Sequence, residues 1–147
     1  MPKSTDCCNR ILNLMYRATA WATVADNAAA TPLTNVVVGL HTGLLTAATN
    51  SQAENEVEYT NYARQNVARS TGWDAASGGS TANAALLQFP QSGATGATLH
   101  TVSTGTTTGS GATPVWHYGA LNSPITIGAA ASITPQFLAG GLVITET

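Results

Sequence analysis

The stretch VWHYGALNSPITIGAAASITPQFLAGGLVITET, residues 115–147, decides how this chain folds. Its apolar residues fall into four short runs, Val115 to Leu121, Ile125 to Ile127, Ile133 to Leu138 and Leu142 to Thr145, parted by Gly, Pro, Asn and Ser. Short runs with a turn signal about every 8–12 residues are the pattern of an all-β sandwich or barrel.

The same rhythm extends backward. Leu99 to Ser103 alternates in a β manner, Ala85 to Phe89 is a strand closed by Pro90, and Val36 to His41 is a β-branched run that predicts a mostly buried strand. Val57 to Val67 reads as a strand pair or one long bent strand. Tyr59 and Tyr62 lie three apart and cannot share a face of a regular strand, so a bulge or turn is expected near Thr60-Asn61. Residues 43–55, the turn around Ser77-Gly78-Gly79 and the Gly/Thr/Ser segment 105–114 read as loops, the last exposed and mobile for want of an apolar anchor.

Only the N-terminal segment departs from this pattern. Ser4 is a suitable N-cap, Asp6 lies in the first turn, and Cys8, Ile11, Leu12, Met15 and Tyr16 recur at helical spacing over 4–17. Residues 18–32 have no settled period and read as a connecting arm anchored by Trp21. The expected architecture is mainly β: an antiparallel, jelly-roll-like sandwich at 32–147, preceded by a helix and arm at 1–31.

A chain of 147 residues suits one domain and buries roughly 68–70% of its unfolded surface. Only 8% of the residues are charged, against about 25% in ordinary globular domains. Its exterior must therefore consist of small neutral groups, a surface that suits packing against neighbours. The net charge of −2 and five scattered basic residues, Lys3, Arg10, Arg17, Arg64 and Arg69, give no footprint for nucleic acid. No apolar stretch approaches the ~20 residues of a membrane span, and MPKSTDCCNR leads into an amphipathic segment rather than a signal peptide. The chain is expected to be soluble and made in the cytosol. Cys7 and Cys8 are adjacent, so a bond between them would close a strained eight-membered ring, and free thiols or a bond across chains are expected instead.

Groups for catalysis are few. His41, His100 and His117 lie in strand patterns without metal-ligand spacing, and they read as strand histidines bonded to a neighbouring carbonyl or exposed. Glu54, Glu56 and Glu58 alternate, as the carboxylates of a strand edge or a calcium site could; the Asp/Gly loop of a calcium motif is missing, and Arg64 and Arg69 are their natural partners. Nucleophile elbows, phosphate loops and dinucleotide fingerprints are absent from the sequence. No catalytic residue, cofactor or metal is expected. Trp116 and Tyr118, alternating in one strand, are expected in the core.

VVVGLHT at 36–42, NEV at 55–57, YARQNV at 62–67, FP at 89–90, HYGAL at 117–121 and AGGLVIT at 139–145, with the leading K-S-T and I-L-N at 3–13, resemble in this order a family of small tailed-phage virion proteins. Many members of that family carry the label tail fibre protein, and similar small β proteins serve as capsid decoration or cement proteins. The turn between NEV and YAR is usually Gly-rich there, whereas this chain has Glu58-Tyr59-Thr60-Asn61. The resemblance implies an assembly role and no catalytic residue. The leading expectation is a cement protein on the capsid exterior, a homotrimer that contacts the major capsid protein. A tail or fibre component that meets the host through Trp73 and the 105–113 loop is the second reading, and a glycan-binding module the third, which would need the Glu54/Glu56/Glu58 row to converge with aromatics. Ile11, Leu12 and Met15 on the helix, Trp21 on the arm, and the Glu56/Arg64 pair are the candidate protein contacts.

Overall fold

The computed structural model describes residues 2–26, 32–106 and 113–147. It is mainly β, 36% strand against 10% helix, with antiparallel sheets. Among the described residues one helix, α1 (Thr5–Arg17), precedes eight strands: β1 (Asn35–His41), β2 (Gln65–Ala68), β3 (Ser80–Ala82), β4 (Leu87–Gln88), β5 (Ala97–Gly105), β6 (Val115–Ile127), β7 (Gln136–Phe137) and β8 (Val143–Thr145). A four-stranded sheet has the order β2-β1-β5-β6, and two two-stranded sheets pair β3 with β8 and β4 with β7. None of the described helices is long and apolar enough to cross a membrane. The chain divides into two compact, interleaved units, one of 1–36, 67–87 and 137–147, the other of 37–66 and 88–136.

The first unit is built on α1. The Ser4 hydroxyl accepts from the Cys7 N–H at 3.3 Å, and the helix stops at Ala18, whose left-handed φ of 53° ends the repeat. Cys8, Leu12 and Tyr16, spaced i, i+4, i+8, form its buried stripe. Tyr16 meets Trp73 edge to face, ring centroids 4.7 Å apart, an arrangement the ring quadrupoles favour. Asn9 and Asn13 fasten the helix to the following loop, accepting from the backbone N–H of Gly79 at 2.7 Å and of Ala76 at 3.0 Å. Ser77 to Ser80 closes a tight hairpin through Gly78 and Gly79, both with positive φ (60° and 80°), which a two-residue turn requires and glycine supplies. This turn opens β3, a strand for which the sequence carries no signal of its own. Asn83 then pins the chain, donating to the carbonyls of Ala85 and Leu138 and accepting from the N–H of Leu142, each at 2.8 Å.

The second unit holds the longest strands. β5 pairs antiparallel with β1, Leu40 opposite Val102, and with β6, Val102 opposite Gly119. Val37, Val38, Leu40, Val57, Tyr59, Phe89, Leu99 and Ile127 are its core. Residues 115–121 and 125–127, read as two strands, are one. Thr101 faces Ala120 and Leu99 faces Ile125, so the four residues 121–124 oppose His100 alone. This bulge takes up Pro124, which could not donate in a regular ladder. The expected break at Thr60-Asn61 is a turn: Asn61 has a φ of 78°, and the Tyr62 N–H donates to the Tyr59 carbonyl at 2.9 Å.

Two aromatic expectations are corrected. Trp73, expected as an exposed contact, is fully buried under Tyr16. Trp116 is half-buried and Tyr118 is 43% exposed rather than in the core. The reason is position, because β6 ends the sheet order and has a neighbouring strand on one side only. Within the segment expected to be a mobile loop, 107–112 lie outside the described residues, while Gly105 and Thr113 at its ends are buried. A Cβ on Gly105 would come within 2.5 Å of the Pro114 carbonyl oxygen and would also meet the Gln52 carboxamide. Backbone and side chain thus approach too closely there for any other residue.

Candidate functional site

In the second unit, polar side chains join into a chain of hydrogen bonds. The His41 ring is fully buried, its Nδ1 2.9 Å from the Glu54 carbonyl and its Nε2 2.8 Å from the Ser103 hydroxyl. A carbonyl only accepts, so Nδ1 carries the proton and Nε2 accepts from Ser103. Gln52 donates to Ser103 Oγ at 3.1 Å and to the Val37 carbonyl at 3.3 Å, and its own oxygen accepts from the Thr113 hydroxyl at 3.2 Å. Arg64 donates to Thr113 Oγ1 at 2.9 Å and closes a two-pronged pair on Glu56, at 2.6 and 2.7 Å. Its side chain is 2% exposed and that of Glu56 17%.

Electrostatics follow from burial. Desolvation disfavours the imidazolium and holds the His41 pKa below its ordinary value, against smaller opposing pulls from the Glu54 carbonyl and the Glu56 carboxylate. Burial pushes the Tyr59 phenol up to about 12 and raises Tyr62 further. Tyr62 accepts from the Leu40 N–H at 2.9 Å and stacks on Phe89, and the Glu56 carboxylate adds to the upward push on its phenol. Both Glu56 oxygens accept from Arg64, so this carboxylate anchors the buried guanidinium.

Glu56, Glu58, Tyr59, Tyr62 and Arg64 line one concavity of about 500 Å³. The Glu54/Glu56/Glu58 row does not form one strand face: Glu54 sits in a turn, its carboxylate near the Thr49 hydroxyl at 3.4 Å, and Glu56 makes an isolated bridge with His41. Arg69, expected beside these glutamates, donates instead to the carbonyls of Leu14, Met15 and Leu33 in the first unit. His100 is half-buried on β5 and His117 half-buried on β6. Among the described residues no three His, Cys, Asp or Glu side chains gather as a metal site would need. Cys7 and Cys8 are free thiols.

The candidate contact residues have different surroundings. Leu12 is fully buried in its own unit, while Ile11 and Met15 are half-buried beside it. Trp21 is half-buried in a turn closed by its backbone bonds to Ala25, with the Arg10 guanidinium 5.9 Å from its ring. Glu56 and Arg64 face each other. Gln52, Ser103 and Thr113, which join His41 to Arg64, went unrecognised in the sequence because nothing distinguishes them from the surrounding Ser, Thr and Gln.

The fold is small, mainly antiparallel β and sparsely charged, and the chain is a tailed-phage virion structural protein. Residues 2–145 match the model of the family described as podophage GP4 fiber I protein gp80, and the chain belongs to that family. No curated protein matches the chain.

Proposed function

We propose that this chain is a structural subunit of a virion fibre, acting through contacts with further copies of itself and with neighbouring virion proteins, and without catalysis. The family's description as a fibre protein over residues 2–145 is the observation that carries this reading, and it ranks a fibre position above the capsid-cement role that composition and size alone favoured. The surface agrees with assembly. All five basic side chains have intramolecular partners: Lys3 with Glu146, Arg10 with Asp6, Arg64 with Glu56, Arg17 with the Trp73 carbonyl and Arg69 with three carbonyls. Exposed apolar side chains, Leu86, Leu138 and Val143 in the first unit and Tyr118 and Ile125 in the second, are available for packing. Antibody-gold labelling of intact virions, with the copy number from quantitative mass spectrometry, tests the reading. Label on fibres with few copies per particle is the expected result. Label spread over the head with hundreds of copies would restore the cement role.

A further inference from the structure

The first unit carries a second concavity, of about 320 Å³, lined by Asp6, Asn9, Arg10, Asn13, Trp21 and Ala76 among others. Asn9 and Asn13 stand one helical turn apart, so their side chains leave the same side of α1 roughly 5–6 Å from each other. Each carboxamide oxygen is held by a backbone N–H, that of Gly79 or of Ala76. Fixing the oxygen fixes the NH2 group as well, which leaves two oriented donors that hydrogen-bond to no protein group among the described residues. Trp21 supplies an aromatic wall. The Arg10 guanidinium lies over one face of the Trp21 ring, 5.9 Å from its centroid, and pairs through Nε with one Asp6 oxygen at 2.8 Å, leaving the other Asp6 oxygen to accept.

With one acid and one base paired in the lining and amide donors beside them, the concavity favours a ligand without net charge that both accepts and donates at spacings of several ångströms and offers an apolar face to an indole. A sugar ring does all three, because each hydroxyl donates and accepts while the axial C–H bonds give one face apolar character. An anion would have to compete with the Asp6 carboxylate beside the same arginine. The volume lies at the small end of ligand sites, about 300–1,000 Å³, as one ring requires. We propose that this concavity is a carbohydrate subsite for a single neutral pyranose residue, with Trp21 as the platform and the Asn9 and Asn13 amides as donors. This assignment stands apart from the fibre reading and does not depend on it.

The test uses the full chain labelled with 15N, in which Trp21, Trp73 and Trp116 give three indole signals; Trp21→Phe identifies the first. Methyl pyranosides of glucose, galactose, N-acetylglucosamine and rhamnose are titrated at millimolar concentration, with inorganic phosphate and triglycine alongside. A saturable shift of the Trp21 signal by at least one glycoside, with Trp73 unmoved, is expected. N9D combined with N13D keeps the oxygens that hold Gly79 and Ala76 but removes both donors, and should weaken that glycoside about tenfold or more without loss of fold. Should that variant unfold, Trp21→Ala, outside the buried stripe, is read by saturation transfer to the same glycoside and should abolish it. The assignment is overturned if no glycoside moves Trp21, if the variants bind as tightly as the parent, or if phosphate or triglycine shifts the signal more strongly than any sugar.

Discussion

Removal of the Glu56 carboxylate is the sharpest perturbation of the second unit. In Glu56→Ala the Arg64 guanidinium, 2% exposed, keeps its charge and loses both of its carboxylate bonds. Breaking a buried pair on one side costs about 3–5 kcal/mol. Glu56 itself is 17% exposed, so water can partly replace it and the lower end, about 3 kcal/mol, is expected. For a chain of this length each kcal/mol lowers Tm by about 2–4 °C, which gives a drop of about 6–12 °C.

The assay is a double-mutant cycle of Glu56→Ala, Arg64→Ala and the pair, by urea titration and calorimetry. Because the damage in the first variant is an orphaned cation, removing Arg64 as well should recover part of the loss, with a coupling of about 1–3 kcal/mol. Glu56→Leu with Arg64→Met, which fills the space with apolar groups, should be more stable than either single alanine variant. A Glu56→Ala protein within about 0.5 kcal/mol of the parent, or strictly additive alanine variants, would refute the account of the pair as a buried structural link.

Three further outcomes follow from burial. Phe89→Ala should cost about 3–5 kcal/mol by equilibrium unfolding, since Phe89 is 1% exposed and stacked on Tyr62. The His41 pKa is lowered in the fold relative to 6.5, so the unfolded chain binds more protons below that value. Stability should then fall as pH drops below 6.5 toward the folded pKa, and urea midpoints for His41→Gln should show a weaker fall in that window, with Glu54, Glu56 and Arg64 the charged groups nearest the ring. Deletion of residues 1–31 should leave the first unit unable to fold, because Leu12 and Tyr16 are fully buried and Arg69 loses the carbonyls of Leu14 and Met15; limited proteolysis would show cuts within 67–87. A folded remainder that no longer enters the particle would instead make the helix a contact element.

How much was legible depended on whether a local signal matched a local cause. α1 was readable because a cap, a first-turn acid and a 3.6-residue period all describe the same thirteen residues. The buried positions Val38, Leu40, Val67, Leu87, Phe89, Leu142 and Ile144 were readable from apolar runs alone. The turn at Thr60-Asn61 followed from the spacing of two tyrosines. β3, Ser-Thr-Ala, carries no apolar alternation, and β8 defines it by pairing Thr81 with Ile144 across more than sixty residues. β6 was split in the reading because Pro124 usually ends a strand; the bulge that tolerates it depends on the partner β5. The network through Gln52, Ser103 and Thr113 is equally nonlocal. Its members come from three separate segments, and only their meeting around His41 and Arg64 gives them a role.

The use of charge in this chain leads to one more expectation. Of twelve charged side chains in 147 residues, Arg64 and Arg69 are buried, and Lys3 and Arg10 are neutralised by neighbours. What remains for a partner is mostly neutral: small side chains with Tyr118, Ile125, Leu86, Leu138 and Val143 among them. An interface made of such groups gains from apolar burial and little from long-range attraction. Screening should then matter little, since raising ionic strength from ~0.01 M to ~1 M shortens the Debye length from about 30 Å to about 3 Å and weakens only exposed charge pairs. Self-association, followed by sedimentation velocity, should be unchanged or strengthened across that range of sodium chloride, and strengthened further by sulfate, which favours burial of apolar surface. Dissociation that grows steadily with sodium chloride would mean that charge holds the copies together, and the neutral-surface explanation of assembly would have to be abandoned.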